Sequence, residues 1–314
     1  MPPVPRRSAA TLFSAARLAL VLLLGYSLGR LSGPVPGRAS LSRGAQAGVA
    51  VALQPPAAPA ARTGFAVVCV LTLDARWFAD VASQHILLHG LGGMSRYADA
   101  HGYSFRPRFF APEARGQPAV DKRVNWNRVR ASLRECASSR VQWVYFTEGD
   151  VWITNFTTTL ESIVSDATRD APQAHVVLNR DLLGNLNTGS GFVKCSQLGM
   201  QALREVLQAS EAHAGDTYVQ AWGDQGAFML LAQDQKWAPH IAIAPQKAFN
   251  AYPVHVPDWT RFEEGGPGDA HFWARGDFAI HFAGFYKGGL MSFAKALGER
   301  ELRVGYREFM DVLE

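Results

Sequence analysis

From Gly64 onward, short apolar runs of strand length alternate with stretches in which apolar residues recur every three or four positions. The run "GFAVVCVLTLD", Gly64–Asp74, meets no charge until its final Asp, the pattern of a strand covered on both faces in a parallel sheet. "ASQHILLHGLGGMSRYADAHGYSF" predicts a helix that ends near His101 and Gly102, then a second strand. "NWNRVRASLRECASS", Asn125–Ser139, predicts an amphipathic helix with Trp126, Val129, Leu133 and Cys136 on one side. "VQWVYFTEGD" predicts an apolar strand over Val141–Phe146, "TTTLESIVSDA" a helix and "AHVVLNRD" another strand. "SQLGMQALREVLQASEAH" and "GDQGAFMLLAQDQ" predict two further helices, and no internal repeat is visible. Strands alternating with helices imply an α/β fold with a mostly parallel central sheet covered on both faces. In such sheets ligands sit at the carboxyl ends of the strands.

Before Gly64 the pattern changes. "LALVLLLGYSLG", Leu18–Gly29, is an apolar run with Arg6, Arg7 and Arg17 before it and Arg30 after it. Extended back to Ala9 it approaches the roughly 20 residues that span a bilayer, with Arg17 reaching to the interface. The excess of basic residues on its leading side favours a cytoplasmic N-terminus. The segment that follows is rich in Ala, Pro and Gly, buries too little apolar surface to fold, and reads as a disordered stalk. Residues 1–30 are thus expected to be a tip and signal-anchor helix, 31–63 a stem, and 64–314 a catalytic domain. That is the plan of a single-pass type II membrane protein. A cleaved secretory signal and an organelle transit peptide are the rival readings, and they would make the protein secreted or organelle-targeted instead.

Charge adds one correction. The net charge of +4 over 314 residues suggests a basic protein, but residues 1–63 hold seven Arg and no acid. The other 24 basic residues face 27 acidic ones, so the remainder is slightly acidic and gives no reason to expect nucleic acid as a partner. Three cysteines, Cys69, Cys136 and Cys195, are too few for a disulfide framework or a zinc site. Cys69 lies in an apolar run and reads as a buried thiol. Cys136 and Cys195 could bridge.

The candidate chemistry lies where the strand Val141–Phe146 runs into Glu148, Gly149 and Asp150. Two acids at that position have three readings. They are turn and cap residues, or a general acid/base pair, or holders of a divalent cation whose oxygen shell is completed by phosphates. Acids two apart on an extended chain share one side and can face the same ion. The expectation is that one binds a metal directly while the other works through water or a sugar hydroxyl. Gly149 would let a substrate approach the backbone closely.

The surrounding segments carry a family resemblance. "GDVWITN" resembles the "D-x-D-A-x-x-x-N" core of glycosyltransferase family 34, which includes fungal α-mannosyl- and α-galactosyltransferases and plant xyloglucan xylosyltransferases. "SRYADAHGYSF" resembles that family's "YA-x-x-HGY" segment, and "NWNRVRASLREC" its "W-x-K" helix. "NTGSGFVKCSQLGMQAL" is similar to its "N-x-G-x-F-x-x-(K/R)-x-S" segment, and "WGDQGAFMLLAQ" to its Asp/Glu-Gln helix. "NAYP" followed by "GDFAIHFAGF" resembles its closing "GDF-x-x-HFAG" motif. The resemblance runs in order from about Phe65 to Phe285.

It implies a GT-A fold, a Rossmann-like nucleotide-diphospho-sugar transferase. It further implies a nucleotide-diphosphate sugar donor, Mn²⁺ (or Mg²⁺) as cofactor, a glycan or glycoprotein acceptor, and retention of anomeric configuration. Glu148, Asp150 and His281 would hold the metal. Tyr97, Glu148, Gly149, Asp150, Gly189, Gly284 and Lys287 would face the donor, and Asp224, Gln225 and Asn187 would act near the sugar. Three positions depart from the family pattern: Glu148 is Glu rather than Asp, Val151 replaces a small Ala, and Lys287 falls about one residue late.

Each residue also has an ordinary reading. His281 sits between apolar residues and could be a satisfied core histidine. Asp224 could cap a helix. Asn187, Thr188, Gly189 and Ser190 could be a plain loop. Tyr97 and His101 could be helix core, and the aromatic cluster Trp259, Phe262, Phe272 and Trp273 could be core or an acceptor platform. The sequon Asn155-Phe156-Thr157 directly follows the acids, where a glycan would crowd a cleft, so it is expected to stay unmodified. The resulting expectation is a Golgi type II glycosyltransferase of 64–314 catalytic residues, alone or as a homo- or hetero-oligomer. The alternatives are a related GT-A enzyme with a hydroxyproline or protein O-glycan acceptor, and a non-catalytic glycan-binding or scaffold subunit. A protein beginning at Arg62 should be soluble and fold, since no folding pattern precedes the first strand. Insolubility of that protein, with the full chain active in detergent, would place the boundary elsewhere.

Overall fold

The computed structural model describes residues 64–72, 86–110, 125–137, 141–212, 219, 222–255, 262–284 and 289–296. The expected anchor and stem, residues 1–63, lie outside these. Among the described residues no helix is long and apolar enough to cross a membrane.

Six strands form the main sheet: β1 (Phe65–Thr72), β2 (Ser104–Phe110), β3 (Trp143–Glu148), β5 (Val176–Arg180), β6 (Leu186–Lys194) and β7 (Ile241–Ala244), in the order β2-β1-β3-β6-β5-β7. β1 runs parallel to β2 and β3, and β5 runs parallel to β7. β6 runs antiparallel to both of its neighbours, β3 and β5. The expected mostly parallel sheet is present, with one reversed strand at its centre. A separate two-stranded ribbon pairs β4 (Val151–Ile153) with β8 (Ala279–His281).

Both faces are covered, and β1 shows how. Its alternate residues Phe65, Val67, Cys69 and Leu71 face one apolar cluster, while Ala66, Val68 and Val70 face another. The first cluster takes buried residues from α1 (Gly92–His101), α3 (Leu160–Thr168), α6 (Gly289–Ala296) and the ribbon β4–β8. The second takes residues from α2 (Trp126–Cys136), α4 (Gln197–Ala212) and α5 (Asp224–Gln233). Period-two alternation on a two-sided sheet leaves no polar face, which is why the strand reads as a continuous apolar run.

The local signals are those of the sequence. α1 follows a π-helical turn, Ile86–Leu91, and ends at Gly102, whose φ of 69° is left-handed. α3 begins after Thr159, whose hydroxyl accepts from the amide of Ser162. α2 buries Trp126, Val129 and Cys136 as the periodicity predicts, but it also buries Arg128 and Glu135.

Three expectations change. Asn187, Thr188, Gly189 and Ser190 are not a loop; they lie in the first half of β6. The segment hid because glycine and asparagine are poor strand formers, yet Asn187 pairs with Asn179 of β5 and Ser190 with Thr147 of β3. Gly191 makes room for this: a Cβ there would lie 2.6 Å from Phe146 Cζ and 2.8 Å from Leu178 Cδ2. Trp273 is core rather than platform, with its ring 5.6 Å from Phe262 and its indole donating to Thr154 Oγ1 at 2.9 Å. Asp224 is the first residue of α5 rather than its cap, which is Gly223.

Cys136 and Cys195 are joined by a disulfide, tying the end of α2 to the turn between β6 and α4, while Cys69 is a free buried thiol. The bridge closes a loop with a sequence separation of 59 residues. Loop-closure entropy in the unfolded chain makes such a bridge worth about 2 to 4 kcal/mol. The double variant Cys136→Ala/Cys195→Ala should lose stability of that order in chemical denaturation. Equal midpoints and slopes for the two proteins would show that the bridge contributes nothing.

Candidate metal centre

β3 ends at Glu148 and β4 begins at Val151, so Gly149 and Asp150 make the turn between them. β8 lies antiparallel to β4 with His281 opposite Val151, and the amide of Phe282 donates to the carbonyl of Asp150 at 3.0 Å. Backbone pairing alone thus delivers His281 to the two acids. Ligand atoms of Glu148, Asp150 and His281 all lie within 4.8 Å of one another. His281 Nε2 stands 3.4 Å from Glu148 Oε2 and 3.7 Å from Asp150 Oδ1. Asp150 and His281 are buried, whereas 35% of the Glu148 side chain is exposed. Two inner ligands and one that meets solvent leave a side through which the oxygens of a substrate could complete a coordination shell.

The backbone has been thinned around this cluster. A Cβ on Gly189 would lie 2.1 Å from His281 Cε1 and 2.8 Å from Nε2, so only glycine leaves room for the imidazole. A Cβ on Gly90 would lie 2.2 Å from the carbonyl oxygen of Gly149, so the π-helical turn rests directly on the acid turn. Gly284, three residues after His281, takes a left-handed φ of 51°.

Arg128 is the residue that sequence reasoning missed. Its guanidinium meets Glu148 Oε1 at 2.8 Å through Nη1 and Asp224 Oδ2 at 2.8 Å through Nε. Nη1 also donates to the carbonyl of Thr188 at 2.6 Å, and Nε to that of Asn125 at 3.2 Å. One buried cation thus joins the first acid of the turn, the start of α5, strand β6 and the start of α2. A signal was available: Arg128 stands at the Lys position of the "W-x-K" segment, on a helix whose buried face it shares. Burial works against the charges of both partners. For Arg128 burial is outweighed by Asp224 and Glu148, which hold its pKa above the ordinary value. For Asp224 burial wins: it pushes the carboxyl up to about 6, with Arg128 pulling it down and Glu148 adding to the rise. The asymmetry follows from sharing, because Arg128 serves two anions and Asp224 has only part of one cation.

The remaining predicted residues divide. Asn187 is buried close to the histidine on β6; its Nδ2 donates to the hydroxyl of Tyr252 at 3.1 Å and its Oδ1 accepts from the amide of Gly189 at 2.9 Å. Both polar atoms of Asn187 thus have partners within the fold. Asp224 is likewise fully buried against Arg128 and acts on the site through it. Gln225 beside it is half-buried. Lys287 and Trp259 lie outside the described residues. Tyr97 is not brought to the cluster. It is fully buried in an aromatic group with His101 and Phe278, and its hydroxyl donates to the carbonyl of Thr158 at 2.7 Å. His101 Nε2 meets the carbonyl of Phe156 at 2.7 Å. The pair brace the segment after β4. In the sequon, Asn155 Nδ2 donates to the carbonyl of Gly276 at 2.8 Å, so the acceptor amide is engaged within the fold.

Comparison with known proteins gives the same class. Residues 161–289 match the family model of the galactosyl transferase GMA12/MNN10 family. No curated protein sequence matches the chain. A crystal structure of a glycosyltransferase involved in glycosylation of the major capsid of PBCV-1 superposes with a TM-score of 0.50 at 13% identity, over 73% of this chain and 99% of that one. Mouse xyloside xylosyltransferase 1 in its apo form gives a TM-score of 0.40 at 11% identity, over 69% and 97% of the two chains.

The raised pKa of Asp224 sets a sign for pH dependence. A carboxyl that holds its proton more tightly folded than unfolded contributes stability below the ordinary value, and that contribution is lost as pH rises through the folded value. The window is therefore from about pH 4 to about pH 6, running from the ordinary 3.8 to the folded value of about 6. The full shift corresponds to about 3 kcal/mol. Urea denaturation of wild type and Asp224→Asn across pH 4–8 should show the wild type losing ground to the variant as pH rises through this window. A constant difference would mean that Asp224 titrates as an ordinary carboxyl.

Proposed function

We propose that this chain is a glycosyltransferase of the galactosyl transferase GMA12/MNN10 family, and that it moves a hexose or pentose from a nucleotide-diphosphate sugar to a glycan acceptor with retention of configuration, using Mn²⁺. The observation that carries the reading is the convergence of Glu148, Asp150 and His281, with the buried Nε2 of His281 lacking a hydrogen-bond partner and turned toward both carboxylates. A mixed carboxylate and imidazole set suits Mn²⁺, while Mg²⁺ prefers oxygen alone. Asp150 and His281 would be the direct ligands. Bound there, the ion would offset the charge of the leaving diphosphate as the glycosidic bond breaks.

The chain's own groups supply position. Glu148 is steadied by Arg128 at one oxygen and presents the other toward the cluster. Gln225, half-buried next to Asp224, is free of that ion pair and remains the group of α5 suited to a sugar hydroxyl. Attack on the face from which the diphosphate departs needs no protein nucleophile, consistent with Asp224 being committed to Arg128. We place the protein in the Golgi as a single-pass type II membrane protein. The arginine-flanked apolar run Leu18–Gly29 supports this. So does the Cys136–Cys195 disulfide, which suits an oxidising compartment.

The acids should not be equivalent. Asp150→Asn should lower Mn²⁺ affinity by more than about 100-fold, beyond the 10–100-fold typical of residues behind the ligands, and abolish donor binding. Glu148→Gln should lower turnover more than binding, and Glu148→Asp should stay partly active. Gly149→Val should be severe, and His281→Ala should weaken metal-dependent donor binding while also lowering the melting temperature, because Asn250 Oδ1 loses its buried partner. Isothermal titration of Mn²⁺ and nucleotide into these variants decides the matter. Unchanged affinity in Asp150→Asn would end the metal reading, leaving the acids as a structural turn.

A further inference from the structure

We propose that Asn250 is the positioning residue that holds His281 with its proton on Nδ1, with the amide of Asn250 paired in turn with Asn179. The inference rests on the metal role proposed for His281. His281 Nδ1 lies 2.6 Å from Asn250 Oδ1, and Asn250 Nδ2 donates to Asn179 Oδ1 at 2.8 Å. Asn179 and Asn250 are fully buried and His281 is 1% exposed, so solvent does not compete for these contacts.

The logic is one of donors and acceptors. A carboxamide has one group that donates and one that accepts. With the NH₂ of Asn250 given to Asn179, only the oxygen of Asn250 remains for the imidazole. An oxygen accepts, so Nδ1 must carry hydrogen. A neutral imidazole has a single N–H, so Nε2 is left with its lone pair. That lone pair is turned toward Glu148 Oε2 and Asp150 Oδ1 at 3.4 and 3.7 Å. The competing arrangement reverses both amides and puts the hydrogen on Nε2, aimed at the acids. Those two separations are too long for it to form a good hydrogen bond.

The backbone around Asn250 is fixed for the purpose. Its amide donates to the carbonyl of Gln246 at 2.9 Å, and its carbonyl accepts from Gln246 Nε2 at 3.3 Å. The next two residues clamp the histidine itself. The carbonyl of Ala251 accepts the His281 amide at 2.7 Å, and the ring of Tyr252 meets the imidazole edge-on at 5.7 Å. Asn250–Tyr252 is therefore a short shelf that meets His281 through the Asn250 side chain, the Ala251 carbonyl and the Tyr252 ring. Only the lone-pair form of Nε2 can ligate a cation, so the relay would keep the site ready without first moving a proton.

The test combines tautomer and affinity. In metal-free full-length protein with ¹⁵N-labelled histidine, NMR should find the His281 hydrogen on Nδ1. Asn250→Leu should lose that preference and weaken Mn²⁺ binding by about 10–100-fold in isothermal titration, the usual cost of removing a group behind a ligand. Asn250→Asp keeps an acceptor and should retain both the tautomer and affinity to within about fivefold, well short of that cost. Asn179→Ala should give an intermediate loss. Melting curves check folding; if Asn250→Leu does not fold, the other two variants carry the test. Hydrogen on Nε2 in the wild type overturns the proposal. So does an Asn250 variant lacking the acceptor that keeps wild-type tautomer and affinity, or, where that variant does not fold, Asn179→Ala keeping both. If the wild type shows the Nδ1–H form, the variants lose it, and no protein binds Mn²⁺, the positioning role stands and the metal reading falls.

Discussion

A buried guanidinium cannot stand alone, and much of this site follows from where Arg128 finds its partners. Removing one member of a buried ion pair costs about 3–5 kcal/mol, because the other charge is left unpaired in a poor solvent. Arg128 is 6% exposed. Its contacts to Glu148, Asp224 and the carbonyls of Thr188 and Asn125 are therefore conditions of folding as well as features of a site. The same contacts lock four elements into one geometry. The end of β3, the centre of β6 and the starts of α2 and α5 cannot shift independently without breaking a charged hydrogen bond. The Cys136–Cys195 disulfide fixes the other end of α2 near the end of β6, so the helix that carries Arg128 is held at both ends.

The second half of the cluster is assembled by backbone alone. β4 and β8 are three residues each, far below the length at which two strands are stable by themselves. They persist because Trp152, Phe282 and Phe293 pack together beneath them. Glycine at 189 and 90 then lets the imidazole and the acid turn approach surrounding backbone more closely than any side chain would permit. Apolar packing sets the distance between acids and histidine, and the polar groups need only supply direction.

This division explains what could be read from the sequence. Long apolar or amphipathic segments announced themselves, so β1, β3, β5 and helices α1 to α5 were legible. β4, β7 and β8 are too short to carry a period, and β6 is built from residues whose strand preference is poor; each depends on its neighbours. The acids and His281 were legible as a motif, and the resemblance implied that they converge; what was not legible was the route, because it depends on β4 meeting β8. Arg128 was missed since periodicity sorts residues by polarity, and a buried arginine violates that sorting. Tyr97 carried both readings at once. Its motif suggested a ligand, while its place on α1, in the apolar stripe with Met94 and Ala98, was already that of a core residue.

Two differences from the motifs that the sequence resembles, Glu for Asp at 148 and Arg for Lys at 128, make sense together. Glu148 has an extra methylene compared with Asp, and the structure uses that length. One oxygen reaches Arg128 at 2.8 Å while the other points into the cluster, 3.4 Å from His281 Nε2. A shorter carboxylate on the same backbone would sit nearer one partner at the expense of the other. Arginine in place of lysine matches this demand, because a planar guanidinium can serve Glu148, Asp224 and a carbonyl from different edges at once, where an ammonium offers one point of charge. The longer acid and the broader cation are thus two sides of one adjustment. Together they link Asp224 at the start of α5 to the acid turn beside His281 through two side chains rather than through the sheet.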